Sequence, residues 1–88
     1  MPYKVGVLPA ARRGLRRLPA NVQRRVASRI DGLVNDPRPH GAANIVGPET
    51  DVYRLRVGDY RIVYHVDDES QVVLVLAAGH RRDVYRPR

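Results

Sequence analysis

The spacing of apolar residues along the chain changes period twice, and each period predicts a different element. Over Pro2 to Leu8 it is two: Tyr3, Val5 and Val7 alternate with Lys4 and Gly6, the mark of a short strand. From Leu8 it becomes helical. Leu8, Ala11, Leu15 and Leu18 form one stripe, with Arg12, Arg13, Arg16 and Arg17 on the other side. Pro9 suits the first turn of that helix, where its missing N–H costs little, and Pro19 ends it. A second helix is predicted from Ala20, with Val22, Val26, Ile30, Leu33 and Val34 on its stripe and Arg24, Arg25 and Arg29 mostly outside it. Two short amphipathic helices with a tight connection make a helical hairpin.

Asn35 to Gly47 interrupts the pattern, because Pro37 and Pro39 remove donors and hold their predecessors extended. A brief strand is expected over Ala43 to Val46. The period then returns to two. Val52 to Val57 and Tyr60 to Val66 are predicted strands around Gly58-Asp59, a two-residue hairpin signal. Asp67-Asp68-Glu69-Ser70 forms the next turn. Gln71 to Ala78 is nearly all apolar, as a central strand covered on both faces would be. From Gly79 the chain reads as a polar, basic tail. The expected fold class is α+β: an N-terminal strand, a helical hairpin, then an antiparallel three- to four-stranded sheet with the helices packed on one face. Nothing in the 88 residues reads as a linker or a repeat, so residues 1–88 are expected to form one domain.

The hairpin signal fixes side-chain placement. If Gly58 and Asp59 are the loop, Val57 pairs with Tyr60, Arg56 with Arg61, Leu55 with Ile62 and Arg54 with Val63. Alternation then puts Tyr53, Leu55, Val57, Tyr60, Ile62 and Tyr64 on the core face, and Arg54, Arg56 and Arg61 on the other. Like charges directly opposite in a ladder destabilise it by some tenths of a kcal/mol up to roughly 1 kcal/mol. Folding gains nothing from Arg56 facing Arg61; an anion site on a rigid sheet does. A plain solvated face is the structural alternative.

Charge sharpens this picture. The formal net charge is +7, from 16 basic and 9 acidic side chains, and residues 1–35 alone carry a net +7. Such a balance on a small domain points to a polyanionic partner, nucleic acid or an acidic protein. There is no cysteine, which excludes disulfides, thiolate metal sites and a cysteine nucleophile and fits a reducing compartment. No apolar run approaches the roughly 20 residues of a membrane span, and the N-terminus lacks a signal-peptide pattern, so the chain is expected in the cytoplasm and away from membranes. No His, Asp or Glu spacing suggests metal ligands, and no cofactor is expected.

After the central strand, His80-Arg81-Arg82-Asp83-Val84-Tyr85-Arg86 sets an aromatic ring among bases, a combination suited to single-stranded RNA. By itself the motif is weak, since a tyrosine there also serves packing. Of the histidines, His65 lies on the arginine face and reads as structural, and His40 falls in the proline loop.

Tyr53-Arg54-Leu55-Arg56-Val57-Gly58-Asp59-Tyr60-Arg61-Ile62-Val63-Tyr64 resembles the signature hairpin of the RelE/ParE toxin superfamily. The similarity runs on through Asp67-Asp68-Glu69 and Gly79-His80-Arg81-Arg82-Asp83-Val84-Tyr85, and upstream through Ala11-Arg12-Arg13 to Leu18-Pro19 and Asp36-Pro37-Arg38-Pro39 to Gly47, nearly the whole chain. The resemblance implies the toxin half of a type II toxin–antitoxin pair, an mRNA interferase that enters the ribosomal A site and cleaves the bound message by 2′-hydroxyl attack, without a metal. It implies catalytic roles for Arg61 (transition-state charge), Arg81 (proton donor to the leaving oxygen) and Tyr85 (base stacking and general base), and phosphate contacts from Arg54 and Arg56, with Arg82 beside them. The two hairpin positions are often lysine in RelE toxins. Arginine here can act only electrostatically, since it does not give up its proton. The same objection applies to Arg81 as an acid, and His80 is a better-matched proton donor near neutral pH. Implied partners are an acidic, partly disordered antitoxin, forming a hetero-oligomer with the toxin, and the ribosome with its mRNA. The alternatives are a ParE-like inhibitor of DNA gyrase and a non-catalytic RNA-binding relative.

Overall fold

The alternating second half of the chain builds a meander, and the helical first half lies across it. The computed structural model describes residues 2–47 and 49–84. Its elements are β1 (Lys4–Val7), α1 (Pro9–Arg16), α2 (Ala20–Gly32), β2 (Ala43–Asn44), β3 (Val52–Val57), β4 (Tyr60–Asp67), β5 (Val72–His80) and α3 (Arg81–Val84). The strands form one sheet in the order β1-β5-β4-β3-β2. This is the expected α+β layout, with two differences. The sheet has five strands, because β1 joins its edge parallel to β5, Lys4 beside Val72 and Val7 beside Val75. A continuous apolar run such as β5 takes a neighbour on each side, and β1 is the second one. The expected polar tail is also not a tail at first: β5 continues to His80 and the chain turns directly into α3.

The core lies between the helices and one sheet face. Leu55 and Val57 of β3, Ile62, Tyr64 and Val66 of β4, and Val73 and Val75 of β5 pack against Val22, Val26 and Ile30 of α2, Ala11 of α1, and Leu18 and Leu33. Each fully buried aliphatic side chain of this kind stabilises the fold by about 1.5–3 kcal/mol. On the opposite face of β5, Val72, Leu74 and Ala77 are only half-buried, so the expectation of a strand covered on both faces holds for the helix side alone. The β4–β5 register shifts between Val63 and Tyr64, since Val63 pairs with Ala77 and Tyr64 with Val75. Leu76 is therefore the extra residue of a bulge.

Close packing of α1 on β5 depends on Gly14. A Cβ there would run into the Ala78 carbonyl oxygen, so helix and strand backbones touch. Gln23 of α2 donates its side-chain N–H to the Leu18 carbonyl at 2.8 Å and to that of Arg16 at 3.4 Å, closing the C-terminal end of α1.

The proline loop is held by Arg38. Its guanidinium donates twice to the Asp68 carboxylate (3.0 and 2.8 Å), once to Asp51 (3.0 Å) and once to the Tyr53 hydroxyl (2.8 Å). Tyr3 donates to the same Asp68 at 2.6 Å. These donors hold the Asp68 carboxyl at about 2, with the Arg38 guanidinium the largest cause. Tyr64, stacked on Tyr53 with ring centroids 5.8 Å apart, donates its hydroxyl to the Pro37 carbonyl at 2.8 Å. Burial pushes this phenol up to about 12.

Candidate nucleic-acid interface

The β3–β4 hairpin has the register its sequence predicts: Val57 with Tyr60, Arg56 with Arg61, Leu55 with Ile62, Arg54 with Val63. Gly58 takes φ +61° while Asp59 stays at negative φ, the pattern of a type II′ turn, which matches the twist of the strands it joins. Arg54, Arg56 and Arg61 therefore share the face away from the helices. Their environments differ. Arg56 is exposed, Arg54 is half-buried, and Arg61 is only 9% exposed. The Nε and Nη1 atoms of Arg61 are fully buried, with no hydrogen-bond partner among the described residues. Among those residues every ion pair belongs to Arg38, so no described carboxylate neutralises the three arginines. A buried, unpaired guanidinium costs stability that an arriving anion would recover.

The residue beside Arg61 on β5 is Gly79, which brings no side chain to that position. Its successor, His80, pairs with Tyr60 and so belongs to the other face. The two rings meet edge to face, centroids 5.6 Å apart, and His80 Nδ1 accepts the Arg82 backbone N–H at 3.2 Å. With Nδ1 accepting, the neutral ring carries its proton on Nε2. The sequence suggested His80 as a proton donor; strand parity directs its side chain away from Arg61, and its ring accepts from the backbone at the start of α3. Arg81 and Arg82 are exposed at that start, and the Arg81 N–H donates to the Asp59 carbonyl at 2.9 Å, which docks α3 on the hairpin turn. The structure thus sets Arg54, Arg56 and Arg61 on one face of one hairpin, with the Arg81 backbone bound to its turn. Tyr85 lies outside the described residues. His65, across from Val52 and Leu74, shares the arginine face two residues beyond Val63, and His40 is exposed in the proline loop.

Sequence reasoning missed the Arg38 clamp. A signal existed: acids at 51, 67 and 68 cluster at strand ends, where a cation from the adjoining loop can reach them.

The hairpin thus presents guanidiniums without a described carboxylate partner on an α+β scaffold. The family model described as "ParE toxin of type II toxin-antitoxin system, parDE" matches residues 5–85, and the chain belongs to this RelE/ParE superfamily of type II toxins. Among curated relatives, toxin RelG of Mycobacterium tuberculosis is 34% identical over 90 residues, covering 98% of this chain and 99% of RelG. Toxin RelE of the same organism is 31% identical, covering 97% of this chain and 88% of its own. The archaeal RelE–RelB complex of Pyrococcus horikoshii contains a chain that matches with a TM-score of 0.83 and 30% identity, over 94% of this chain and 99% of that one. The toxin–antitoxin complex RelBE2 of M. tuberculosis gives a TM-score of 0.78 at 29% identity, over 92% and 100%.

Proposed function

We propose that this toxin is a ribosome-dependent mRNA endonuclease. The observation that carries the reading is Arg61: a guanidinium buried on a rigid strand, without a described partner, directly opposite a second arginine. In the proposed step the ribose 2′-oxygen attacks the adjacent phosphorus and loses its proton to a base, and the bond to the 5′-oxygen breaks. The leaving oxygen takes up a proton, giving a 2′,3′-cyclic phosphate and a free 5′-hydroxyl. Arg61 stabilises the charge that develops on the phosphoryl oxygens, where a preorganised donor is most effective. Arg54 and Arg56 hold the phosphate, and Arg81 and Arg82 approach it from α3. Tyr85 is the proposed stacking residue and base. His80 acts by positioning α3, and Arg81 contributes charge near the leaving oxygen.

A partner antitoxin belongs to this reading, since the similar RelE chains form complexes with RelB. An acidic, partly disordered antitoxin would gain most from a surface of net charge +7. The proposed site of action is the cytoplasm, where ribosomes carry the message.

The description of the matching family favours a second reading, a ParE-like poison of DNA gyrase. Induced expression separates the two. New in-frame 5′ ends within translated messages, absent with an Arg61→Ala, Tyr85→Ala double variant, support the endonuclease. Growth arrest with intact messages and double-strand DNA breaks supports the gyrase reading and excludes the first.

A further inference from the structure

The whole of the net charge sits in the first part of the chain: residues 1–35 carry eight basic side chains and one acidic, residues 36–88 eight of each. The helical layer is therefore the cationic layer, and the arginine face of the sheet points away from it. Arg25 connects the two. It projects from α2, and its Nη2 stands 3.3 Å from the point where a Cβ on Gly58 would lie. Its guanidinium thus rests against the turn that joins the strands of Arg56 and Arg61. The Arg81 backbone holds the same turn through Asp59. Arg25 is exposed, and among the described residues it forms no ion pair; Asp59, next to Gly58, does not neutralise it. No ion pair among the described residues takes up its charge, which stays free for an anion crossing the turn.

We infer that Arg25 contacts an RNA phosphate next to the reactive one, extending the interface over the hairpin turn from the sheet face to α2. The inference rests on the RNA-cleaving reading and adds a path: a single strand lying on Arg54, Arg56 and Arg61 leaves over Gly58, where only a residue without a side chain keeps the turn low. Arg25 is the first helical cation it meets, and Arg24 and Arg29 follow on the same helix.

The test is binding of a short fluorescent single-stranded RNA by the purified chain across a salt series, comparing Arg25→Gln, Arg25→Lys and, as a charge-matched control on α1, Arg13→Gln. One lost phosphate contact on a single strand lowers the slope of log K against log salt by about 0.7, equivalent to roughly fivefold weaker binding near 0.1 M salt. That loss is expected for Arg25→Gln with an unchanged melting temperature, with most of the affinity kept in Arg25→Lys and little change in Arg13→Gln. Equal losses in Arg25→Gln and Arg13→Gln would overturn the contact, leaving only a net-charge effect. Loss confined to ribosomes, with oligonucleotide binding intact, would overturn it in favour of ribosomal RNA. No binding of the free RNA by the unmodified chain, with message cleavage on programmed ribosomes kept, would overturn this contact and leave the cleavage reading standing; loss of both would overturn the reading as well.

Discussion

Arg56 and Arg61 stand directly opposite each other across the β3–β4 ladder, and no described carboxylate ion-pairs with either. Cross-strand repulsion and the buried nitrogens of Arg61, without a partner among the described residues, both oppose folding. Replacing Arg61 by methionine removes both penalties and keeps the volume. Urea unfolding of Arg61→Met should give a gain of about 1–2 kcal/mol, together with loss of message cleavage on programmed ribosomes. A less stable variant would mean that Arg61 has a partner that holds the native fold.

Gly14→Ala runs against helix propensity. Alanine is favoured over glycine inside a helix by about 1 kcal/mol, yet the added Cβ would collide with the Ala78 carbonyl. Both atoms in that contact are fixed to backbones, so α1 must move off β5. A net loss of about 1–3 kcal/mol is expected from thermal melts. A more stable Gly14→Ala would show that α1 floats over the sheet.

Gly58→Val tests the turn. The position has φ +61°, and a side chain there would also press on Arg25 at 3.3 Å. Left-handed geometry costs an L-residue about 1–2 kcal/mol, and β-branching adds to it. The expected result is a destabilised hairpin with weaker RNA binding. Gly58→Asn, better suited to positive φ, should lose less stability and still weaken binding.

The Arg38 clamp makes an acid-side prediction. Asp68 titrates at about 2 in the folded protein, below its ordinary value of 3.8. A depressed carboxyl contributes stability that is fully present above its unfolded value and lost as pH falls through its folded one. Melting temperature should therefore fall between about pH 4 and about pH 2. Asp67, also lowered, by Ser70, acts in the same direction. In Asp68→Asn that fall should be shallower, with a lower plateau near neutral pH; an unchanged acid limb would remove Asp68 from the account.

Most of the sheet is legible in the sequence because its information is local. A two-residue turn and strict alternation are enough to pair Arg56 with Arg61. The parallel seat of β1 is not legible, since a four-residue strand carries no record of its neighbour. The bulge at Leu76 is hidden for a related reason: in a uniformly apolar run, an inserted residue leaves the pattern unchanged. The apolar pattern of the last strand stops at Ala78 while β5 runs on to His80, so the face His80 takes is not legible. The Arg38–Asp68 and Arg25–Gly58 relationships join residues far apart in sequence, the first through the proline loop folding onto the sheet end and the second through α2 packing on the hairpin.

The sheet also ends in a protective way. Its longest strands, β4 and β5, are interior, while its edges are a two-residue β2 and a four-residue β1 that opens with Lys4 just after Pro2. A growing fibril needs a long, uncharged border on which to template the next chain, and neither border offers one. The apolar strands are thus shielded from edge-to-edge templating by the brevity of their neighbours.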